Sequence, residues 1–346
     1  MASSASTPSC GTISTAAAPF IWNTTRPFLV QPSGLRLAKF ERVSVDPDGW
    51  IVDADCRAVR QGGCHSHMRK PWVPGEISKS WRRVVSLATH WGEGHHHFVL
   101  ESLVGLLAAQ SVLPAPASTW PDDLKIHVTQ RIDFELQWLE VVARVPAAAV
   151  VRGRIFADVL YAPELGRCRT PLAVHVSWLH ERVARALAFN ASTTASKPSL
   201  LVVRRLTLGH AERKRAANLL GPVLAVTRPA AKRVGLSHVV HDDAALPPLW
   251  HQLAAWATAA IVVAPTGAAL VNLLAAPAAA CVVELQPEPE GGRRGADDTY
   301  GKLARGLGLE HRRVTAAFEG ERELAAASDA ALRRGVDECA HRRSQG

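Results

Sequence analysis

Apolar positions along the chain follow two periods. In the segment ERVSVDPDGWIVDAD, Val43 and Val45 alternate with polar neighbours, Asp46-Pro47-Asp48-Gly49 has turn chemistry with Pro second, and residues 50–52 return to an apolar run. Alternation interrupted by such a turn predicts a β-hairpin. Residues 86–88 close a second short strand. From Gly94 to Gln110 the period lengthens, with Leu100, Leu103, Val104 and Leu107 at helical spacing. Residues 125–128 and 138–139 fall in short αβ units, and a helix within 171–188 closes the first half.

After the small, polar, Pro-terminated segment 190–198 the pattern becomes a strict alternation. Strands are expected at 200–203, 223–226, 260–263 and 281–284, and helices at 211–220, 248–259, 268–274 and 300–307. Such alternation predicts a parallel, doubly wound sheet. Between Asp243 and Glu284 the chain carries no charge, a length sufficient for a membrane span. Pro265, Gly267, Asn272 and Pro277 cut that run into strand, loop, short helix, loop and strand. Strands covered on both faces of a parallel sheet are apolar throughout, so a buried sheet is the expected reading. The chain then divides into an irregular lead-in (1–35), an α/β domain (36–190), a second α/β domain (198–320) and a helical tail (321–346). No internal repeat is present.

The 346 residues are 47% hydrophobic and 21% charged, as in ordinary globular proteins. A formal charge of +9 favours anionic partners: nucleotides, nucleic acid or a membrane surface. Joint abundance of Arg and Ala offers a purely compositional alternative. Aromatic content is 6% and no five like charges adjoin, so the basic–aromatic interleaving of a nucleic-acid binder is missing. The N-terminal stretch MASSASTPSCGTISTAAAPF lacks the basic and apolar regions of a signal peptide. Taken literally the chain has no export signal, a truncated reading frame being the alternative. Of six cysteines none forms a C-x-x-C pair. Cys56 and Cys64 are close enough to bridge in an oxidising compartment, with free thiols as the alternative. Asn23 and Asn190 each begin a glycosylation sequon.

Candidate chemistry concentrates at strand ends. Ala264-Pro265-Thr266-Gly267 follows a strand and opens a helix; helix N-termini present free N–H groups that suit phosphate, and glycine permits close backbone approach. Arg204 and Arg205 end the strand 200–203, where arginine forks match phosphate oxygens. Arg213, Lys214 and Arg215 form a basic cluster on the next helix, or simply its solvated face. Glu284 ends another strand, where a carboxylate can accept from ribose hydroxyls. His97 and Glu101 are four apart, so they share a helix face; the carboxylate can orient the imidazole as a general base. Consecutive His95, His96 and His97 point in different directions and make a poor chelate. Of two DxD triplets, Asp46-Pro47-Asp48 is better explained by the hairpin turn, and both it and Asp53-Ala54-Asp55 lie in the half that lacks the phosphate loop, so neither is read as a metal site. No HExxH, GxSxG, P-loop or GxGxxG pattern is present.

Three blocks in this order resemble glycosyltransferase family 61: HHHFVLESL, LVVRRLTLGHAERKRAANLL and WATAAIVVAPTGAALVNLLAAPAAACVVELQP. The resemblance covers about residues 40–310. It implies a GT-B fold, two Rossmann-like domains facing a central cleft, and inverting transfer of a xylose, arabinose or N-acetylglucosamine class sugar. The implied partners are a UDP-sugar donor and a glycan or glycoprotein acceptor, without nucleic acid, cofactor or essential metal. It implies roles for His97 as base or acceptor contact and for Glu101 orienting it. Arg204, Arg205, Arg215 and the Pro265–Thr266–Gly267 loop would hold the diphosphate, Asn272 would support that loop, and Glu284 would meet the ribose. The implied location is the Golgi lumen, with membrane anchoring only through a segment outside this chain. Three positions depart from the family pattern. Thr266 stands where the family has His, Ala264 where it has Gly, and Leu219 after Asn218 where it has Glu. A catalytically inactive nucleotide-binding relative is therefore a second reading, and a basic α/β nucleic-acid-binding protein a third.

Overall fold

The computed structural model of the chain describes residues 10–12, 28–30, 34–62, 71–114, 120–189, 197–205, 220–287, 298–316, 318–319, 323–324 and 326–345. Two compact units divide it, one running to Leu179 and one from His180 onward. The division falls inside the helix Ala173–Phe189. Residues 190–196 of the expected linker lie outside the described residues.

In the N-terminal unit the strands are β1 (Phe28–Val30), β2 (Arg36–Val45), β3 (Trp50–Val52), β4 (Ala58–Arg60), β5 (Lys79–Ser86), β6 (Leu124–His127), β7 (Val150–Val151) and β8 (Ile155–Pro163). They form one sheet in the order β4-β3-β2-β8-β5-β6-β7, with β1 also paired to β2. Pairing of β2 with β1, β3 and β8 is antiparallel, whereas β5 runs parallel to both β6 and β8. This mixed sheet corrects the expectation of a Rossmann-like first domain. The turn at residues 46–49 is too short for a crossover, so the strands it joins must run antiparallel.

That turn is built by Asp46, whose Oδ1 accepts from the amides of Asp48 and Trp50 at 3.0 Å each. Gly49 takes φ +79°, and a Cβ there would lie 3.0 Å from the Gln61 carbonyl oxygen, so glycine is needed both for conformation and for space. Asp53 repeats the device, accepting from the amides of Asp55 and Arg57. Both DxD triplets are thus turn formers.

Most helical segments of this unit are short. The expected helix at 94–110 is α1 (His95–His97), a π-helical turn (Phe98–Ser102) and α2 (Gly105–Ala108). Its Leu100, Leu103, Val104 and Leu107 are all buried. Then come α3 (Asp133–Gln137), a second π-helical turn (Trp138–Val142) and α4 (Ala173–Phe189).

β6 ends in a buried histidine. Nε2 of His127 donates to the Gly153 carbonyl at 2.8 Å, which leaves Nδ1 to accept from the Ser86 hydroxyl at 3.3 Å. Both bonds suit the neutral ring, and burial pushes its pKa down to about 4. Below pH 6.5 the unfolded chain gains a proton there that the folded chain refuses until about pH 4. Stability is therefore full above pH 6.5 and falls by on the order of 3 kcal/mol as pH drops to 4. Denaturant melts across this window should show a shallower loss for His127→Gln than for the parent chain. Equal slopes in the two proteins would contradict this account.

The C-terminal unit contains β9 (Ser199–Arg204), α5 (Leu220–Arg233), β10 (Ser237–Asp242), α6 (Leu249–Ala257), β11 (Ala259–Pro265), a 3-10 helix (Ala268–Ala275), β12 (Cys281–Pro287), α7 (Thr299–Gly306), β13 (Glu310–Ala316), the pair β14 (Phe318–Glu319) and β15 (Glu323–Leu324), and α8 (Ala326–Gln345). The main sheet runs β10-β9-β11-β12-β13, every neighbour parallel. Counted within the unit this is the order 2-1-3-4-5, a doubly wound sheet whose strand order reverses between β9 and β11.

One expected strand is a helix. Residues 223–226 belong to α5, where Val223, Val226, Ala230 and Ala231 are buried at helical spacing. A four-residue apolar run does not separate the two periods by itself. Leu220 begins α5, and the rest of the helix expected at 211–220 lies outside the described residues. Strands β10 and β13 escaped the sequence pattern because they form the sheet edges and carry His, Asp, Glu and Arg, as edges commonly do.

On one face of the sheet Leu200, Val202, Ile261, Val263, Val283 and Leu285 pack against Val223 and Val226 of α5 and Leu332 and Val336 of α8. Burial of each large aliphatic side chain contributes about 1.5–3 kcal/mol. Cys281 of β12 is bonded to Cys339 of α8 within that core. In the first unit Cys56 pairs with Cys10, which corrects the expected Cys56–Cys64 bridge; Cys168 is disulfide-bonded as well. Among the described residues no helix is long and apolar enough to cross a membrane. The apolar run 262–285 instead supplies the end of β11, the 3-10 helix and the start of β12.

Candidate functional site

His97 ends α1 and Glu101 lies one turn on, so the helix brings them together. Nδ1 of His97 is 2.9 Å from Glu101 Oε1, and both side chains are largely covered, at 13% and 8% exposure. With Nδ1 donating to the carboxylate, a neutral ring keeps its lone pair on Nε2, the form a general base requires.

Backbone from a distant segment holds the carboxylate. The amide of Arg169 points at Glu101 Oε1 from 3.4 Å, and the amide of Gly166 donates to the Glu101 carbonyl at 2.7 Å. A Cβ on Gly166 would lie 2.7 Å from Glu101 Cα, so no larger residue allows this approach. Arg169 has φ +52°, a left-handed conformation that costs a non-glycine residue free energy.

The three histidines diverge as expected. His95 Nε2 accepts from the Trp138 indole at 2.9 Å. The His96 ring lies 3.8 Å from that of His97, centroid to centroid, and Trp91 stacks on His97 at 6.0 Å with a 29° interplanar angle. Behind Trp91, His90 is held by Asp48 of the hairpin turn at 2.9 Å.

In the C-terminal unit the candidate residues gather where the strand order reverses. Ligands of open α/β sheets bind outside the carboxyl ends of the strands at such a point. Parallel register sets Arg204 opposite Asp242, and its Nη1 bonds Asp242 Oδ2 at 2.8 Å. Arg205 lies instead against the loop after β11. Its guanidinium donates to the Thr266 carbonyl, and a Cβ built on Gly267 would fall 2.6 Å from Arg205 Cζ. Gly267 is in extended conformation, and its lack of a side chain leaves room for the Arg205 guanidinium against the loop. The loop is pinned from below by Thr266 N donating to the Leu285 carbonyl at 2.8 Å, and Leu270 N to Gly267 O opens the 3-10 helix.

A cleft of about 230 Å³, open solvent included, is lined by Arg204, Arg205, Leu220, Val223, Pro265 and Leu285 among others. Asn272 is buried under the loop, its Nδ2 3.5 Å from Gln252 Oε1. Its Oδ1 has no hydrogen-bond partner among the described residues.

Glu284 does not present its carboxylate as a strand-end position would suggest. Its side chain is 0% exposed, Oε2 sits 2.8 Å from His311 Nε2, and Oε1 takes Gln286 Nε2 at 3.4 Å. A ribose contact at this residue is not what the geometry offers. No local pattern signals this, since His311 lies on β13, an edge strand the apolar pattern misses. Arg215 falls outside the described residues, with Arg213 and Asn218.

Periodicity alone passes over the doublet Asp242-Asp243, although two carboxylates after the apolar core of a strand are a visible signal. Asp242 is used twice, by Arg204 and by the amide of Ala244, which donates to Oδ1 at 3.0 Å. Asp243 has a buried Oδ1 without a hydrogen-bond partner among the described residues. Burial raises its pKa to about 6 against the opposing pull of Arg205. Among the described residues no group of three or more His, Cys, Asp or Glu side chains is placed to hold a metal ion.

A family model described as Glycosyltransferase 61 matches residues 95–283, a span that takes in the His97–Glu101 pair, both arginines and the Pro265–Gly267 loop. No curated protein sequence matches the chain. Among solved structures, a flavodoxin-like domain from Synechococcus sp. is 17% identical, with 43% of this chain and 100% of that one covered at a TM-score of 0.29. A diflavin flavoprotein A3 from Nostoc sp. is 14% identical, with coverages of 44% and 98% and a TM-score of 0.29. The flavodoxin of Streptococcus pneumoniae TIGR4 is 9% identical, with coverages of 42% and 99% and a TM-score of 0.27. Likenesses this low say nothing about activity.

Proposed function

This chain belongs to glycosyltransferase family 61, and from that premise we propose that it moves a xylose, arabinose or N-acetylglucosamine class sugar from a UDP-sugar to a hydroxyl of a glycan or glycoprotein, with inversion. The acceptor oxygen attacks the anomeric carbon as the bond from that carbon to the β-phosphate oxygen breaks. The acceptor proton passes to His97 Nε2, and UDP leaves carrying the new negative charge.

The observation that carries the reading is Arg205 laid against the Thr266–Gly267 loop at the sheet's reversal point. A departing diphosphate needs positive charge placed in advance. Where the family pattern has His, Thr266 can donate a hydrogen bond but supplies no charge. Arg205 supplies it at the same loop, with Pro265, Gly267 and the buried Asn272 shaping the backbone around it and Arg204 beside it. Transfer without an essential metal is part of this proposal.

On the acceptor side, the stack of Trp91 on His97 gives the base an aromatic neighbour against which a sugar ring can pack. The disulfides Cys10–Cys56 and Cys281–Cys339 support residence in an oxidising compartment, here the Golgi lumen.

Thr266 favours one competing reading, a relative that binds the nucleotide and transfers nothing. Thermal-shift titration with UDP, followed by a donor panel of UDP-xylose, UDP-arabinose and UDP-N-acetylglucosamine on glycan acceptors, separates the two. The expected results are stabilisation by UDP and turnover of one donor. Stabilisation without any turnover supports the inactive relative. No shift with UDP, combined with salt-sensitive RNA binding, overturns the nucleotide reading altogether.

A further inference from the structure

Three carboxylates lie on or just after strands β10 and β12 of this sheet, and two are already occupied. Glu284 is closed off by His311 and Gln286. Asp242 gives one oxygen to Arg204 and the other to the Ala244 amide. Asp243 differs, because Oδ1 is buried and accepts nothing among the described residues. An ionised carboxylate only accepts hydrogen bonds, and leaving a buried acceptor unmade is costly. The group that belongs there is a donor.

Position narrows what the donor is. Asp243 follows β10 directly, and its amide donates to the Arg204 carbonyl at 3.2 Å, which ties it to the end of β9. Arg205 is the opposite charge it feels most. A carboxylate beside the arginine assigned to a diphosphate matches the order of groups in a nucleoside diphosphate, where the ribose adjoins the phosphates. The ribose offers two neighbouring hydroxyls, both donors. An acidic residue that meets ribose hydroxyls is also a recurrent arrangement in doubly wound nucleotide-binding sheets.

We infer that Asp243, rather than Glu284, is the residue of this chain that accepts hydrogen bonds from the ribose hydroxyls of the nucleoside diphosphate. The inference rests on the UDP-sugar reading above and deepens it by placing the ribose.

Calorimetric titration of the full chain with UDP and with 2′,3′-dideoxy-UDP tests it. The parent protein should bind UDP about 10-fold or more tighter than the dideoxy compound, since hydrogen bonds to a charged group are each strong. In Asp243→Ala the two ligands should bind alike, the loss falling on UDP alone. In Asp243→Asn, which keeps the shape, the ratio should be intermediate, and this variant provides the reading if the alanine protein fails to fold. A parent ratio preserved in the Asp243 variants overturns the assignment while leaving the transferase reading intact. So does a parent protein that binds UDP and the dideoxy compound equally. A parent protein that binds no UDP overturns the transferase reading, and this inference with it.

Discussion

Replacing His97 with alanine should lower kcat for sugar transfer by about 10²- to 10⁴-fold, the usual contribution of a positioned general base, and leave UDP affinity unchanged. The separation of the two effects is the informative part. His97 and Glu101 belong to the N-terminal unit, whereas every residue proposed to touch the nucleotide belongs to the C-terminal one. His97→Gln keeps a polar side chain of similar reach without a titrating base, and should be as inactive as the alanine protein. Glu101→Gln should retain more activity, because an amide oxygen can still accept from Nδ1 but no longer stabilises the protonated ring. Full activity in either His97 variant would remove His97 from the reaction.

A second large effect is expected at Arg205. Arg205→Ala should weaken UDP binding by about 10- to 100-fold, the equivalent of one or two charge-assisted hydrogen bonds. Arg204→Ala should have the smaller effect, for two reasons. Its charge is already met by Asp242 at 2.8 Å, and at 39% exposure it is screened by solvent. Removing Arg204 also frees a carboxylate near the site, so part of its effect would be repulsion, which added salt should reduce. In the double variant affinity should fall at least as far as in Arg205→Ala. Equal UDP affinity in the parent, both single variants and the double variant would refute the diphosphate assignment.

Legibility in the sequence followed burial. Strands β9, β11 and β12 are covered on both faces, so they read as unbroken apolar runs and were found where they lie. Edge strands β10 and β13 carry charge and histidine and left no such trace. The hairpin at residues 46–49 was legible because a turn writes its chemistry in four neighbouring residues. The mixed character of the first sheet was not, since it depends on β2 meeting β8 through pairs such as Val45 with Ile155, which no local pattern encodes. The same division holds at the site. His97 and Glu101 are joined by helix geometry alone. Arg205 finds Thr266 across 61 positions, and His311 closes off Glu284 across 27; both are products of sheet order. The Asp243 carboxylate was readable as composition, yet its unmet acceptor exists only once β10 is set beside β9.

Helix α8 carries a consequence for the order in which the C-terminal unit folds. Leu332, Val336 and Cys339 of α8 complete the apolar face that β9, β11 and β12 begin. A growing chain emerges from its N-terminus and domains tend to fold in that order, but the apolar face of this sheet cannot be covered until α8, Ala326–Gln345, has emerged. Up to that moment β12, whose Leu285 carbonyl anchors the Thr266 loop, has one face bare. The Cys281–Cys339 bond can form only once α8 has been made, so the covalent support of the strand that anchors the Thr266 loop arrives with that helix.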